Sequence, residues 1–418
     1  MIEETYLSRT AKSASLGARA EVVMPAGETR AAAYHSPYPL TFARGQGLRV
    51  WDVDGNEYID LNYNFTSLVH GHAYPPIVEA AERVIREGTA WPPRNVHQIE
   101  LAELLAERVP SVEMVRFCNS GTEAAMLAMQ VARTVTGRRK VLMARYGYHG
   151  SHEVFEHGFR ADFTGGWPHT LVAEYGNPES FESVLAEHGE EIAAVFLEGV
   201  MGSAGIISAP REFFERVQTA ASASGAIFVL DEVITFRMST GGQQKLLGIA
   251  PDLTLFGKVI GGGFPVGAIG GRRELMSVLD PRKRRMFHSG TFNGNPVTTA
   301  AGMVSVRELT DERIAVMDRQ AAELEGALRR SAGRYGLPFS VRRAGSLLNV
   351  YFCETPPTAT LVRQDDQLMK KFHLAGMNHG LYFASRGMLV LATVLGDAHM
   401  AEIAQRLKAA MADVAAES

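Results

Sequence analysis

Five short runs of apolar character, separated by helical stretches, constrain this chain more than any other feature. They are Val115-Arg116-Phe117-Cys118, Lys140-Val141-Leu142-Met143, Ala194-Val195-Phe196-Leu197, Ile227-Phe228-Val229-Leu230 and Leu253-Thr254-Leu255-Phe256. Near-continuous branched and aromatic side chains suit strands buried on both faces. Their alternation with helices predicts an α/β domain built on a mostly parallel sheet. In such sheets ligands gather at the carboxyl ends of the strands, which is where chemistry should be sought.

The flanking chain reads differently. A weakly amphipathic start is followed by strand patterns at 40–43, 48–51 and 58–61, the last two joined by the hairpin signal Asp54-Gly55-Asn56. Residues 1–70 are therefore expected to form an N-terminal segment with a small β-meander. Residues 71–299, with helices predicted at 75–88 and 98–108, form the large domain. Residues 300–418 are expected to be a smaller α+β domain: a long helix over 300–335, strands within 339–353, a strand pair around 381–394 and a closing helix over 397–415.

Composition excludes several classes of protein. The 418 residues are 46% hydrophobic with a net charge of −4, which leaves no electrostatic footprint for nucleic acid. Two cysteines, Cys118 and Cys353, make no disulfide framework and suit a reducing, cytoplasmic setting. The first residues lack the basic and apolar regions of a signal peptide. No apolar run approaches the roughly 18 residues of a membrane span. The expectation is a soluble cytoplasmic enzyme.

Three strand ends carry candidate chemistry. The first run leads into Asn119-Ser120-Gly121-Thr122-Glu123-Ala124 and then a helical pattern. A turn of small polar residues at a helix start can cradle a phosphate, and it can equally be a simple cap by Ser120 or Thr122. The fourth run ends in Asp231-Glu232-Val233. An acid there is costly without a partner. It could bind a metal, orient a histidine or pair with a cofactor nitrogen, or be a buried structural carboxylate. The fifth run ends in Gly257-Lys258, in a chain with eight lysines against 34 arginines. Partial desolvation would make Lys258 a nucleophilic amine, although a lysine can also snorkel to the surface. Gly261-Gly262-Gly263 beyond it would allow close approach of a ligand. A phosphate turn, an acid for a ring nitrogen and an imine-forming lysine together fit pyridoxal 5′-phosphate.

With those residues assembled, the chain resembles the class III aminotransferases along nearly its whole length. The resemblance is carried by the turn at 119–124, Tyr148-His149-Gly150, Asp231-Glu232-Val233, Gly257-Lys258 and the stretch from His288 to Pro296. It is most similar to the branch holding glutamate-1-semialdehyde aminomutase, bacterial β-phenylalanine aminotransferases and D-phenylglycine aminotransferase. The resemblance implies fold type I of the pyridoxal-phosphate enzymes. It implies that Lys258 holds the cofactor as a Schiff base and that Asp231 keeps the ring nitrogen protonated. Ser120, Gly121 and Thr122 would bind the phosphate, Tyr148 and Val233 would pack on the two ring faces, and His149 and Glu198 would support the cofactor site. Thr291 would reach the phosphate of a neighbouring subunit, so a homodimer is implied. Two departures stand out. Glu198-Gly199 replaces the family's usual Glu-Pro, and Ile234-Thr235-Phe236-Arg237 replaces a Thr-Gly-Phe pattern.

The implied activity is transamination between an amino acid, of the β or aryl type, and a keto acid. The alternative is an aminomutase of the glutamate-1-semialdehyde type. A substrate carboxylate calls for an arginine fork. By resemblance to the β-amino acid enzymes the candidates are Arg30 and Arg386. Tyr63, Phe65 and Trp91 could line a substrate pocket or pack in the core. The pairs His70/His72 and His149/His152 lack the cysteine or acid that would complete a tetrahedral metal set, so no metal is expected.

Overall fold

The computed structural model describes residues 1–159, 168–355 and 366–418. The chain divides into two compact units. One contains Met1–Tyr74 and most of the chain from Glu312 onward, and the other is built on Pro75–Asp311. The first unit opens with helices Ile2–Arg9 and Ala11–Glu21. An antiparallel meander follows: β1 (Phe42–Gln46), β2 (Arg49–Asp52) and β3 (Glu57–Asp60). Gly55 turns the β2–β3 hairpin at φ +94°, and Asp52 Oδ1 accepts the Asn56 amide at 2.8 Å. A positive φ of this kind is what glycine supplies without steric cost.

The second unit holds the sheet that positions the chemistry. Its strands are β4 (Met114–Cys118), β5 (Lys140–Ala144), β6 (Thr170–Ala173), β7 (Ile192–Glu198), β10 (Ile227–Asp231), β11 (Leu253–Gly257) and β12 (Gly267–Gly271), with a small hairpin of β8 (Val200–Met201) and β9 (Ile207–Ser208) set apart. The order is β4-β12-β11-β10-β7-β5-β6. Only β12 runs antiparallel to its neighbours. Along β10, Ile227 and Val229 enter one apolar cluster, while Phe228 and Leu230 enter the other. The strand's two-residue period thus serves both faces. Helix Gly121–Thr136 covers the first face through Ala124, Leu127 and Val131; helix Arg211–Ser224 covers the second through Phe213, Phe214 and Val217.

Two of these strands lie outside the five runs. β6 is short, and β12 reads Gly-Ala-Ile-Gly-Gly, a loop-like composition. Its glycines answer to packing. A Cβ on Gly267 would come within 1.9 Å of the Ser120 carbonyl oxygen, and one on Gly271 within 2.6 Å of the Asp252 carbonyl oxygen.

The single helix expected over 300–335 is two helices, Pro296–Glu308 and Asp311–Tyr335. Arg108 ends the first by donating to the carbonyls of Val306, Arg307 and Leu309. A guanidinium suits the unsatisfied carbonyls and negative end of a helix. The first unit then resumes with β13 (Ser340–Ala344), β14 (Leu347–Tyr351), β15 (Leu381–Tyr382) and β16 (Met388–Val390). The strand pair expected around 381–394 is split between sheets. β15 joins β3 in parallel, and β16 completes the sheet β13-β14-β16. Leu61 links the two by donating its amide to the Tyr382 carbonyl and accepting the Val390 amide. Among the described residues no helix is long and apolar enough to cross a membrane.

Candidate active site

The carboxyl ends of the central strands bring three of the sequence candidates together. Asp231 and Glu198 are register partners at the ends of β10 and β7. β11, ending at Gly257, lies on the other side of β10, and Lys258 follows at once. Lys258 has φ +48°, a left-handed conformation disfavoured for a side chain with a Cβ. It is partly buried and opens a short 3₁₀ turn, Lys258–Gly261.

Asp231 is 6% exposed, and each of its oxygens accepts one hydrogen bond. Its Oδ2 accepts from His149 Nδ1 at 2.8 Å, and its Oδ1 accepts the Val233 amide at 3.0 Å. His149 is itself buried between Phe155 and Phe196, and among the described residues its Nε2 has no hydrogen-bond partner. Of the partners the sequence left open for Asp231, the histidine is therefore present. Glu198 accepts the amides of Tyr148 (2.8 Å) and Gly202 (3.0 Å). Burial pushes its carboxyl up to about 7; Asp231 adds to the rise, while His149 and the two amides oppose it. Tyr148 is thus placed through its backbone.

The two departures have local causes. A Cβ on Gly199 would sit 2.9 Å from Gln243 Cγ and 3.2 Å from Thr235 Oγ1. Thr235 and the amides of Gln243 and Gln244 all donate to buried Glu232. Burial raises the Glu232 pKa and these donors oppose it. Glycine at 199 and the 3₁₀ turn Thr235–Met238 accommodate this network.

The turn after β4 is a helix cap that leaves two amides open. Ser120 caps helix Gly121–Thr136, its Oγ taking the Glu123 amide at 3.1 Å and its carbonyl the Ala124 amide. No group among the described residues takes the amides of Gly121 and Thr122. Thr122 Oγ1 accepts the Ser151 amide, which ties Tyr148-His149-Gly150 to this turn. Val233 is wedged centrally. Cβ atoms on Gly121 and on Gly257 would each come within 3.3 Å of its methyls. One side chain therefore spaces the helix start from the strand that delivers Lys258. Thr291 is exposed in a loop joined to the turn by Asn119 Nδ2 donating to Asn293 Oδ1 at 2.8 Å. Gly261 and Gly262 meet close chain packing, their Cβ positions blocked by Val266 and by the Ala301 carbonyl.

Two free amides at a helix start, a buried carboxylate and a lysine on adjacent strands fit the phosphate, ring nitrogen and carbonyl of pyridoxal phosphate. The family model for aminotransferase class III matches residues 30–411. The chain belongs to the class III aminotransferases. It is 38% identical over 362 residues to the glutamate-1-semialdehyde 2,1-aminomutase of Persephonella marina, covering 83% of this chain and 84% of that protein. It is 36% identical over 378 residues to the β-phenylalanine transaminase of Variovorax paradoxus, covering 90% and 87%. A solved transaminase with pyridoxal phosphate bound superimposes with a TM-score of 0.92 at 35% identity, covering 98% of this chain and 99% of that one. The chain is thus a pyridoxal-phosphate-dependent transaminase of fold type I.

The remaining candidates of this aminotransferase lie mostly in the first unit. Arg30 donates Nη1 to Asn64 Oδ1 at 2.6 Å, and its guanidinium lies 5.6 Å from the Phe65 ring centroid. Asn64 and Phe65 belong to an unusual turn, in which Tyr63, Asn64, Phe65 and Thr66 all have positive φ, from +46° to +78°. Left-handed backbone costs about 1–2 kcal/mol per residue outside glycine, so the turn must be held. Asp60 Oδ1 takes the amides of Asn62 and Tyr63, Asn62 Oδ1 takes that of Phe65, and His72 Nε2 meets Asp60 Oδ2 at 2.6 Å. Tyr63 is fully buried and packs in the core, whereas Phe65 stays partly exposed under Arg30. Trp91, in the second unit, is 36% exposed. Arg386 is partly buried in the bend between β15 and β16, its carbonyl accepting from Asn349. His70 is bonded to Thr393 Oγ1. Among the described residues no three histidines, cysteines or acids cluster as a metal would need. Sequence reading missed Asn64, because an asparagine in a polar loop carries no signal of its own. Four successive left-handed residues follow from no propensity rule.

Proposed function

We propose that this aminotransferase moves an amino group between a β-amino acid, or a related aryl amino acid, and a keto acid. When bound, pyridoxal phosphate supplies a carbonyl that exchanges with the substrate amine and a ring that withdraws electrons from the adjacent C–H bond. The Gly121 and Thr122 amides hold the phosphate at the helix start. Asp231, kept in place by His149 and the Val233 amide, holds the proton on the ring nitrogen. Val233 and Tyr148 confine the ring. Lys258 would hold the cofactor covalently, and once released its Nζ would carry the proton from the substrate carbon to the cofactor C4′. Arg30 takes the substrate carboxylate, with Arg386 as a second fork. Thr291 of one copy serves the phosphate of the other in a homodimer. The observation carrying this reading is the convergence of Asp231, Val233 and Lys258 with the open helix start at 121–122.

The aryl preference is supported by Phe65 lying beneath Arg30, which sets an aromatic face beside a carboxylate receptor. The likeness to glutamate-1-semialdehyde aminomutases supports a second reading, in which the amino group moves within one substrate. The cofactor-loaded protein should be mixed with β-phenylalanine and no keto acid. Stoichiometric loss of the visible band of the lysine-bound cofactor, with release of the keto product, supports the transaminase. A band that persists with β-phenylalanine but changes with glutamate-1-semialdehyde favours the aminomutase. Lys258→Ala should abolish the lysine-bound band and slow turnover by about 10²–10⁴-fold. A variant retaining either would refute the role of Lys258.

A further inference from the structure

Arg30 is held entirely by uncharged groups. Among the described residues its guanidinium has one hydrogen-bond acceptor, Asn64 Oδ1, and one packing surface, the Phe65 ring; no carboxylate lies within ion-pair distance. The amide of Asn64 is itself oriented, because its Nδ2 donates to Ser67 Oγ at 3.0 Å while Ser67 Oγ donates to the Asn64 carbonyl at 3.0 Å. That contact turns Oδ1 toward Arg30. The backbone of Asn64 is left-handed (φ +50°, ψ +57°), a conformation that asparagine and aspartate tolerate better than other side chains. Asparagine and aspartate are also nearly isosteric. At this position the two differ chiefly in charge.

We propose that Asn64 is a positioning and specificity residue: a neutral latch that aims Arg30 while leaving its charge for the substrate carboxylate. The inference rests on the reading of Arg30 as the carboxylate receptor. A neutral acceptor restrains the long side chain through one of its five N–H groups. The remaining donors and the full positive charge stay available for a bidentate partner. An aspartate in the same place would close an internal ion pair, and a ligand carboxylate would have to displace it. The strained turn acquires a purpose on this view, since it carries Asn64 and Phe65 to Arg30 together.

The test uses the cofactor-loaded enzyme and 3-phenylpropanoate, which has the carboxylate and ring of the substrate class but no amine. Its Kd is measured for wild type, Asn64→Asp, Arg30→Gln and the double variant. The expected result is a tenfold or greater weakening in Asn64→Asp and in Arg30→Gln, with no further loss when Asn64→Asp is added to Arg30→Gln. Weakening in Arg30→Gln but less than a twofold change in Asn64→Asp would overturn the latch and leave the Arg30 reading intact. No weakening in Arg30→Gln, or no binding to wild type, would overturn both. A loss in Asn64→Asp that persists in the Arg30→Gln background would mark Asn64 as merely structural and overturn the proposal. Should Asn64→Asp fail to retain the cofactor, Asn64→Gly carries the test. It tolerates the left-handed backbone and removes the acceptor, so a tenfold loss that vanishes in the Arg30→Gln background supports the latch, and binding unchanged from wild type overturns it.

Discussion

Glu198 and Asp231 stand side by side at the ends of β7 and β10, yet their surroundings treat them differently. Asp231 has a histidine and an amide; Glu198 has two amides and deeper burial. Its carboxyl, ordinarily near 4.5, is pushed to about 7. Between those values the folded chain binds more protons at this group than the unfolded chain does. The stability it contributes is complete below about pH 4.5 and is lost as pH rises through about 7. A shift of this size is worth on the order of 3 kcal/mol. Glu198→Gln removes the titration, so in cofactor-free protein the decline in stability from pH 4.5 to 7 should flatten. Denaturant unfolding at a series of pH values reads this directly, and an unchanged slope would contradict it.

Glycines set the spacing between elements in the second unit. The Ser120 carbonyl rests on Gly267 of β12, and helix Pro296–Glu308 rests on the turn after Lys258, where a Cβ on Gly302 would come within 2.0 Å of the Ile260 carbonyl oxygen. Both contacts are with backbone, which cannot swing aside. Gly267→Ala is therefore expected to displace the 120–122 turn. It should cost about 1–3 kcal/mol of stability and weaken pyridoxal phosphate binding at least tenfold, measured by titrating the cofactor-free protein. Wild-type affinity in that variant would show that the turn does not depend on β12. This strand was invisible in the sequence for the reason that makes it important: three glycines in five residues read as a loop, and only the neighbouring strands reveal them as close contacts. The predicted 300–335 helix failed similarly, since its break depends on Arg108, nearly two hundred residues away.

At the scale of the whole molecule, the loop bearing Thr291 presents Phe287 at 89% and Phe292 at 61% exposure, beside a cavity of about 470 Å³ lined by Arg116, Phe117, His288 and Asn293. Large exposed aromatic side chains mark interaction surfaces. The proposed homodimer would cover them. Sedimentation should give twice the chain mass of 45.5 kDa. Phe292→Asp should raise the dissociation constant by about a hundredfold, a loss within the range of an interface hot spot, and should lower cofactor retention with it. A monomeric wild type that holds its cofactor would refute the shared site.

The α/β class, five of the seven strands of the main sheet and the placing of Ser120, Asp231 and Lys258 at strand ends are legible in the sequence. These follow from local physics: a buried strand must be apolar throughout, and a polar residue at its end is conspicuous for that reason. Tertiary structure alone decided which groups meet. Asp231 pairs with His149, 82 residues earlier, and Glu198 gains its high pKa from burial. Arg30 finds Asn64 only because Asp60, Asn62 and His72 hold four residues in a left-handed turn. Backbone preference opposes that turn, and the side-chain hydrogen bonds of Asp60, Asn62 and His72 must supply the energy that holds it.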